Sequence, residues 1–219
     1  MNSGGGMKKL LCCLMVVSVA PAFAQLGGLG PSFAFGVHAN FTNLNLPGPS
    51  VNGTSPLKDV YGGGYGGGVH ADISFVTLGI RVSGDYFTFS PDNDKYRAAL
   101  AALVGSAASQ FSLDGGRVSI LSANANAKMG VLPIPIISPY LTGGIGLARI
   151  NADETKVIYQ GQPTKSFPSF SSVTKTSFNI GAGVDFKVGV ALFLEVKYTW
   201  ILTDDKTSTY VPVTIGVTF

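Results

Sequence analysis

Cysteine is all but missing from this chain: only Cys12 and Cys13 occur, side by side near the start. Charge is scarce as well, with Asp, Glu, Lys and Arg making up 12% of 219 residues, about half the usual share. Ala-, Glu- and Lys-rich helical runs are nearly absent. Each shortage excludes something. A chain with no cysteine beyond its first residues has no disulfide framework and no thiol chemistry. So few charges give no basic face for nucleic acid. The stretch that hydropathy singles out, from Met129 to Ala148, carries no charge but holds three prolines and four glycines, so it cannot span a bilayer as a helix.

What is present is glycine, 29 residues of it, together with 46% hydrophobic residues spread along the whole length. That mixture suits strands and turns rather than disorder. The first residues read as a targeting segment. Met7-Lys8-Lys9 is a positive start, Leu10 to Val19 is apolar, and Ala22-Phe23-Ala24 offers small residues to a signal peptidase. Cleavage is expected before Gln25, which makes 1–24 an N-terminal extension plus signal peptide and 25–219 one domain. Residues 1–6 precede a second methionine and read as a misplaced start or an added leader. Both cysteines leave with the signal, in a place too early for a lipoprotein anchor. Losing Lys8 and Lys9 leaves 13 basic against 12 acidic residues.

Within 25–219, residues alternate apolar and polar in eight stretches, the period of a strand. They run from about Phe33 to Thr42, Tyr65 to Phe75, Leu78 to Thr88, Arg117 to Met129, Pro139 to Arg149, Ser177 to Phe186, Leu192 to Trp200 and Val211 to Phe219. Tight turns near Phe75-Val76, Leu132–Ile136 and Lys187-Val188-Gly189 join alternate pairs. The other links, Asn43–Gly64, Phe89–Gly116, Asn151–Thr176 and Thr203–Tyr210, are longer, and Tyr96 to Leu103 within them is expected to be helical. The glycine run Gly62 to Gly68 lacks the context of a phosphate loop and reads as a flexible lead-in to the second strand.

Alternation alone does not say which face meets solvent. The polar face carries Gly, Ser, Thr and Asn with few charges, too little for a wet surface. Aromatics of the apolar face gather at strand ends: Phe33, Phe75, Phe186 and Phe219 towards the short turns, Phe41, Tyr86, Tyr198 and Trp200 towards the long loops. Two such girdles mark two membrane interfaces. A sheet in lipid must also close, because every backbone group needs a partner. The expectation is therefore an all-β, eight-stranded antiparallel up-and-down transmembrane β-barrel with short periplasmic turns and long extracellular loops. A soluble secreted barrel holding an apolar ligand is the alternative.

The segments Pro139-Tyr140-Leu141-Thr142-Gly143-Gly144-Ile145-Gly146, Phe193 to Tyr198 and Val213 to Phe219 resemble the eight-stranded outer-membrane barrels of the OmpA and OmpX type. The resemblance covers essentially all of 25–219. It implies the bacterial cell outer membrane as location, outer-membrane lipid as surroundings, and assembly machinery and periplasmic chaperones as partners. Ile215, Val217 and the terminal Phe219 look like that family's assembly signal, although the family often has glycine where Thr214 stands. No peptidoglycan-binding domain follows Phe219, so the anchoring role of larger relatives is not implied.

Inward positions collect the candidate functional residues: His38, His70, Asp72, Arg81, Asp85, Lys128, Asp185, Glu195 and Lys197. Acids and bases nearly match, and an unpaired charge there would be costly. A polar network filling the lumen is the expected state, since eight strands enclose just enough room for side chains. A narrow ion path is the alternative. Gly181 and Gly183 are expected opposite Lys197 and Glu195. His38, His70 and Asp72 are weighed as metal ligands and set aside as a core pair with a neighbour. Neither histidine lies near a long loop with a serine and an acid close in sequence, so no catalytic set is expected, and no cofactor. Asp204, Asp205 and Lys206 read as a solvated loop. The extracellular ligand, if any, is not named by the loops. The chain is expected to be a surface protein with a structural, adhesion or envelope-integrity role, and not an enzyme.

Overall fold

The structure is a computed structural model that describes residues 31–45, 60–75, 77–104, 111–131, 136–159, 162–167, 170–188, 190–202 and 207–219. The expected signal peptide, the cleavage site, Val76, residues 132–135, Gly189 and the Asp204-Asp205-Lys206 segment lie outside the described residues. The elements are β1 (Ser32–Asn45), β2 (Tyr61–Ser74), β3 (Leu78–Pro91), α1 (Asn93–Val104), β4 (Phe111–Gly115), β5 (Val118–Gly130), β6 (Ile137–Ala152), β7 (Thr155–Tyr159), β8 (Gln162–Phe167), β9 (Phe170–Val188), β10 (Val190–Leu202) and β11 (Thr207–Thr218).

Eight of them close into an antiparallel barrel in the order β1-β11-β10-β9-β6-β5-β3-β2. The closing pair joins the two ends of the chain, with Val37 opposite Val217 and Phe41 opposite Val213. Beyond the last strand residue, Phe219 and Phe35 exchange backbone hydrogen bonds of 2.7 and 3.2 Å. All eight anticipated strands are present; β5 has the anticipated length, shifted by one residue, and the other seven are longer than their alternation suggested. Among the described residues no helix is long and apolar enough to cross a membrane; the crossing elements are the strands.

Side chains point as a membrane barrel requires. Val69, Ile145 and Ile215 are 61%, 59% and 56% exposed on the outside, while Asp72, Arg81, Asp85 and Glu195 are buried inside. A soluble barrel would show the reverse, so that alternative is discarded.

The inward rows change character towards the extracellular end. On β3, Arg81, Ser83 and Asp85 give way to Phe87 and Phe89; on β5, Asn126, Asn124 and Ser122 give way to Ile120 and Val118. These apolar residues pack with Leu44, Ala148, Ile201 and Tyr210 into one buried cluster. Outward rows change in the opposite sense. Leu121 is followed by Ser119 on β5 and by Arg117 just before it, and Leu147 by Arg149 and Asn151 on β6. The polar inner face read from the sequence therefore describes the lower rows of β3 and β5, and the upper rows are apolar.

The glycine run is corrected too. Gly62 to Gly68 belongs to β2, and its inward members are small because large neighbours cross the lumen in front of them. A Cβ on Gly64 would overlap the Phe89 ring, and one on Gly68 would meet the His38 imidazole at 2.6 Å.

The long links contain structure that the sequence did not announce. β4, β7 and β8 form a three-stranded sheet in that order, and two of them run into barrel strands: β4 into β5 and β7 into β6. Through β4 and β7 the sheet continues two neighbouring barrel strands beyond the rim. Gly115 and Gly116 take φ values of 82° and 76° at the bend, a region that side-chain-bearing residues avoid. Across the bend Gly116 N–H donates to the Glu154 carbonyl at 3.1 Å and Asp153 N–H to that of Arg117 at 2.8 Å, so the ladder is kinked but not broken. The anticipated helix appears as α1, extended to Asn93–Val104. Asp92 caps it by accepting from the backbone N–H groups of Asp94 and Lys95 at 3.1 and 3.2 Å, as expected of Asp before a first turn.

Candidate functional site

All nine charged or imidazole residues expected inside the barrel face its interior, and the register explains how they fit. Gly183 stands opposite Glu195 and Gly181 opposite Lys197, as anticipated. A Cβ at Gly181 would overlap the Lys197 backbone and stem, and one at Gly183 the Tyr140 hydroxyl end. Glycine on one strand thus makes room for a large polar side chain on the next.

At the short-turn end Lys128 holds both carboxylate oxygens of Asp185, at 2.9 and 2.8 Å. Its ammonium also lies 3.8 Å from the centre of the Tyr140 ring. A shallow vestibule of about 180 Å³ opens beside this pair, with Lys187 at its edge. Tyr140 donates to Glu195 Oε2 at 3.0 Å. The other oxygen of Glu195, Oε1, takes Lys197 at 3.0 Å, and Arg81 Nη1 stands 3.7 Å from Oε2. Arg81 is bound mainly to Asp72, through Nε and Nη2, both at 2.8 Å. This two-pronged geometry is among the strongest charge-assisted pairs available to a protein. Phe193 lies beneath the guanidinium, 4.3 Å from its carbon to the ring centre.

Above this layer His38 and His70 meet through their Nδ1 atoms at 3.2 Å. His38 Nε2 is 2.6 Å from Asp85 Oδ1, and His70 Nε2 is 3.0 Å from the Thr218 hydroxyl. Asp85 also accepts from Asn40 (3.2 Å), Ser83 (2.9 Å) and Asn124 (3.3 Å). The histidines are therefore a pair, but Asp72 does not join them; it is engaged by Arg81. Among the described residues no three His, Cys, Asp or Glu side chains are grouped to hold a metal ion.

Around the charged layer, sequence reasoning missed two aromatic members. Phe193 is inside rather than in the lipid, edge-on to His70 at 5.2 Å between ring centres, because Val190 to Leu194 is apolar throughout and hides the parity. Tyr140 is likewise interior, its neighbours on the chain being Pro139 and Leu141. The position of Glu195, two residues after Phe193, carried the signal for the first.

On the outside, Phe33, Phe41, Phe75, Tyr86 and Tyr198 are exposed, and Phe186 and Trp200 are half-exposed. Tyr198 and Trp200 touch, with ring centres 4.6 Å apart. Tyr65, opposite Phe41, extends that row and was not foreseen. Ile215 and Val217 face outward on β11 beside Ala39 and Val37.

A barrel turned inside out, closed by its terminal strands, fits one kind of protein, and the sequence profile decides it. Residues 10–219 match the outer membrane protein beta-barrel domain. The chain belongs to that family. This outer membrane barrel is placed by its family and fold in the bacterial outer membrane, with lipid against its outer face. Solved barrels resemble it at low identity. Neisserial surface protein A superposes with a TM-score of 0.53 at 17% identity, over 86% of this chain and 97% of the other. Ail, the attachment invasion locus protein of Yersinia pestis, gives 0.47 at 14%, over 88% and all of its chain. The N-terminal barrel domain of Pseudomonas aeruginosa OprF gives 0.43 at 14%, over 85% and 97%. No curated protein sequence matches the chain.

Proposed function

We propose that this barrel is a closed, non-conducting and non-catalytic surface protein. Its membrane part serves as a rigid mount, and its extracellular sheet and helix carry the contact or envelope-integrity role. The observation that supports this best is the stacking inside the barrel. Paired charges fill the lower lumen, and the cluster around Phe87, Phe89, Ile120 and Tyr210 sits above them. An ion would have to break several short ion pairs and then cross a dry apolar layer, each step costing several kcal/mol.

The test is conductance. Purified barrel in planar bilayers is expected to give no unitary steps at moderate voltage. Stable, reproducible steps would replace this reading with the narrow-channel one. The surface role is tested by replacing residues 111–115 and 153–169 with short turns. The shortened barrel is expected to refold, while cells carrying it lose surface attachment. Retained attachment would leave envelope integrity as the role, read as detergent sensitivity of a strain lacking the protein.

In the same reading, Phe33, Phe41, Phe75, Tyr86, Phe186, Tyr198 and Trp200 are interfacial anchors. Ile215, Val217 and Phe219 form the segment that assembly machinery would engage before the barrel closes, after delivery by periplasmic chaperones.

A further inference from the structure

The two histidines of the chain, His38 on β1 and His70 on β2, stand where the ends of the barrel wall meet, with their rings buried. Each reaches past its neighbouring strand over a glycine. His70 is opposite Gly36, which is opposite Thr218 in turn, and a Cβ on Gly36 would overlap the His70 ring. The ring therefore lies across β1, and its Nε2 meets the Thr218 hydroxyl on β11 at 3.0 Å. His38 does the same in the other direction, over Gly68 to Asp85 on β3 at 2.6 Å. A further tie over the seam ends on the same carboxylate. Thr214 on β11 donates to Asn40 Oδ1 at 2.6 Å, and the Asn40 amide donates to Asp85 at 3.2 Å. The β1–β11 seam is thus fastened from inside to β2 and β3, and the His38–His70 contact joins the fastenings.

That contact, Nδ1 to Nδ1 at 3.2 Å, needs a proton on one nitrogen and a lone pair on the other. While it stands, at most one of the two rings is a cation, whichever tautomers they adopt. The surroundings have room for one imidazolium and not for two. The titratable groups around the pair are Asp72 on β2, Arg81 and Asp85 on β3, Lys128 on β5, Tyr140 on β6, Asp185 on β9, and Glu195 and Lys197 on β10; β1 and β11 add no charge. Asp72 is held by Arg81, Asp185 by Lys128, and Glu195 by Lys197 and Tyr140. Asp85 is left, and it touches His38. A charge on His70 as well would have no acid of its own. It would lie 5.4 Å from the His38 ring centre and edge-on to Phe193. A buried charge without a partner is costly.

We propose that the histidine pair is an acid-sensitive latch on the β1–β11 seam. With at most one imidazolium it holds Thr218 and keeps the seam shut. A second proton sets two N–H groups against each other, His70 swings off Thr218, and the seam loosens. In the loosened form each ring takes a proton in the ordinary histidine range, below about pH 6.5. The shut form then holds fewer protons than the loosened one, so acid favours loosening, by about tenfold per pH unit for one proton.

The experiment uses the refolded full barrel in detergent, from about pH 8 to about pH 5, a span that brackets the ordinary histidine range. Isotope-labelled histidine makes every imidazole signal in its NMR spectrum a report on this pair. Hydrogen exchange compares the backbone amides of β1 and β11 with those of β5 and β6, as protection factors corrected for the intrinsic effect of pH. The seam amides are expected to lose protection as the second imidazole proton is taken up, while β5 and β6 hold steady. His70→Gln, uncharged and with an amide for Thr218, should keep the fold and make the seam insensitive to pH. Thr218→Val should leave the imidazoles titrating and likewise free the seam from pH. A seam in the unmutated barrel that stays protected to the acid end of the range overturns the latch. A seam that still loosens with acid in either variant overturns it too, and is the result expected if lumen carboxylates take the proton instead.

Discussion

Four strands of this barrel, β3, β5, β6 and β10, are each two strands in one. Within lipid, β3, β5, β6 and β10 carry Arg81, Asn124, Thr142 and Glu195 on the inside and Ile80, Ala125, Leu141 and Leu194 on the outside. Above it the order reverses: Phe89, Ile120, Ala148 and Ile201 turn inward, with Arg117 and Arg149 outward. Through these rows the side chains go on alternating; only the solvent changes. The lower part is organised for hydrocarbon outside, and the upper part is a small soluble β-core with water outside. The level of the outer interface can therefore be read from the chain itself, at the rows where Leu121 yields to Ser119 and Leu147 to Arg149.

Substitutions on either side of that level should behave differently, measured as urea unfolding in lipid vesicles. The largest effect is expected inside the lower lumen. Arg81→Met strands Asp72 and Glu195 without their shared cation and should cost about 3–5 kcal/mol. Pairing it with Asp72→Leu should recover a good part of that, and no recovery would mean that the ion pair does not hold the layer together. Next comes the lipid face, where Ile145→Arg should cost about 2–4 kcal/mol near the midplane; unaltered stability would contradict the inverted arrangement. A smaller loss, about 0.5–1.5 kcal/mol, is expected for Ile120→Val in the upper core. That value should not change between vesicles of thin and thick lipids, because the site lies above them. The smallest change is predicted for Asn151→Arg, outward but above the crossover, within about 0.5 kcal/mol. A loss as large as that of Ile145→Arg would move the interface upward.

Much of the architecture was legible because a transmembrane strand has few ways to satisfy lipid and lumen at once. Val37-His38-Ala39-Asn40 and Leu194-Glu195-Val196-Lys197 announce their faces without any partner in view. Legibility failed where parity was hidden or where pairing is long-range. Tyr86-Phe87-Thr88-Phe89 looks like a fading strand end, yet its two phenylalanines build the upper core. Gly62 to Gly68 has no side chains to alternate, and its role becomes visible only once Phe89 and His38 are seen against it. β7 and β8 are too short to carry a pattern, and what fixes them is the sheet they form with β4 beyond the rim. In the site, the membership of the charged set could be read from the sequence, but the partners could not. Asp85 is joined to His38 and Asn124 from strands far apart in the chain, and Asp72 turned out to belong to Arg81 rather than to the histidines.

The pairing of β1 with β11 sets a condition on how this molecule comes to exist. Every other wall contact joins strands that follow one another closely, whereas this one waits for the far end of the chain. Until it forms, the sheet has two raw edges, and the charged layer has an open side to water. Closure therefore shuts the wall and dries the lumen in the same act. Folding dominated by so distant a contact is slow and favours all-or-none behaviour over stable part-built forms.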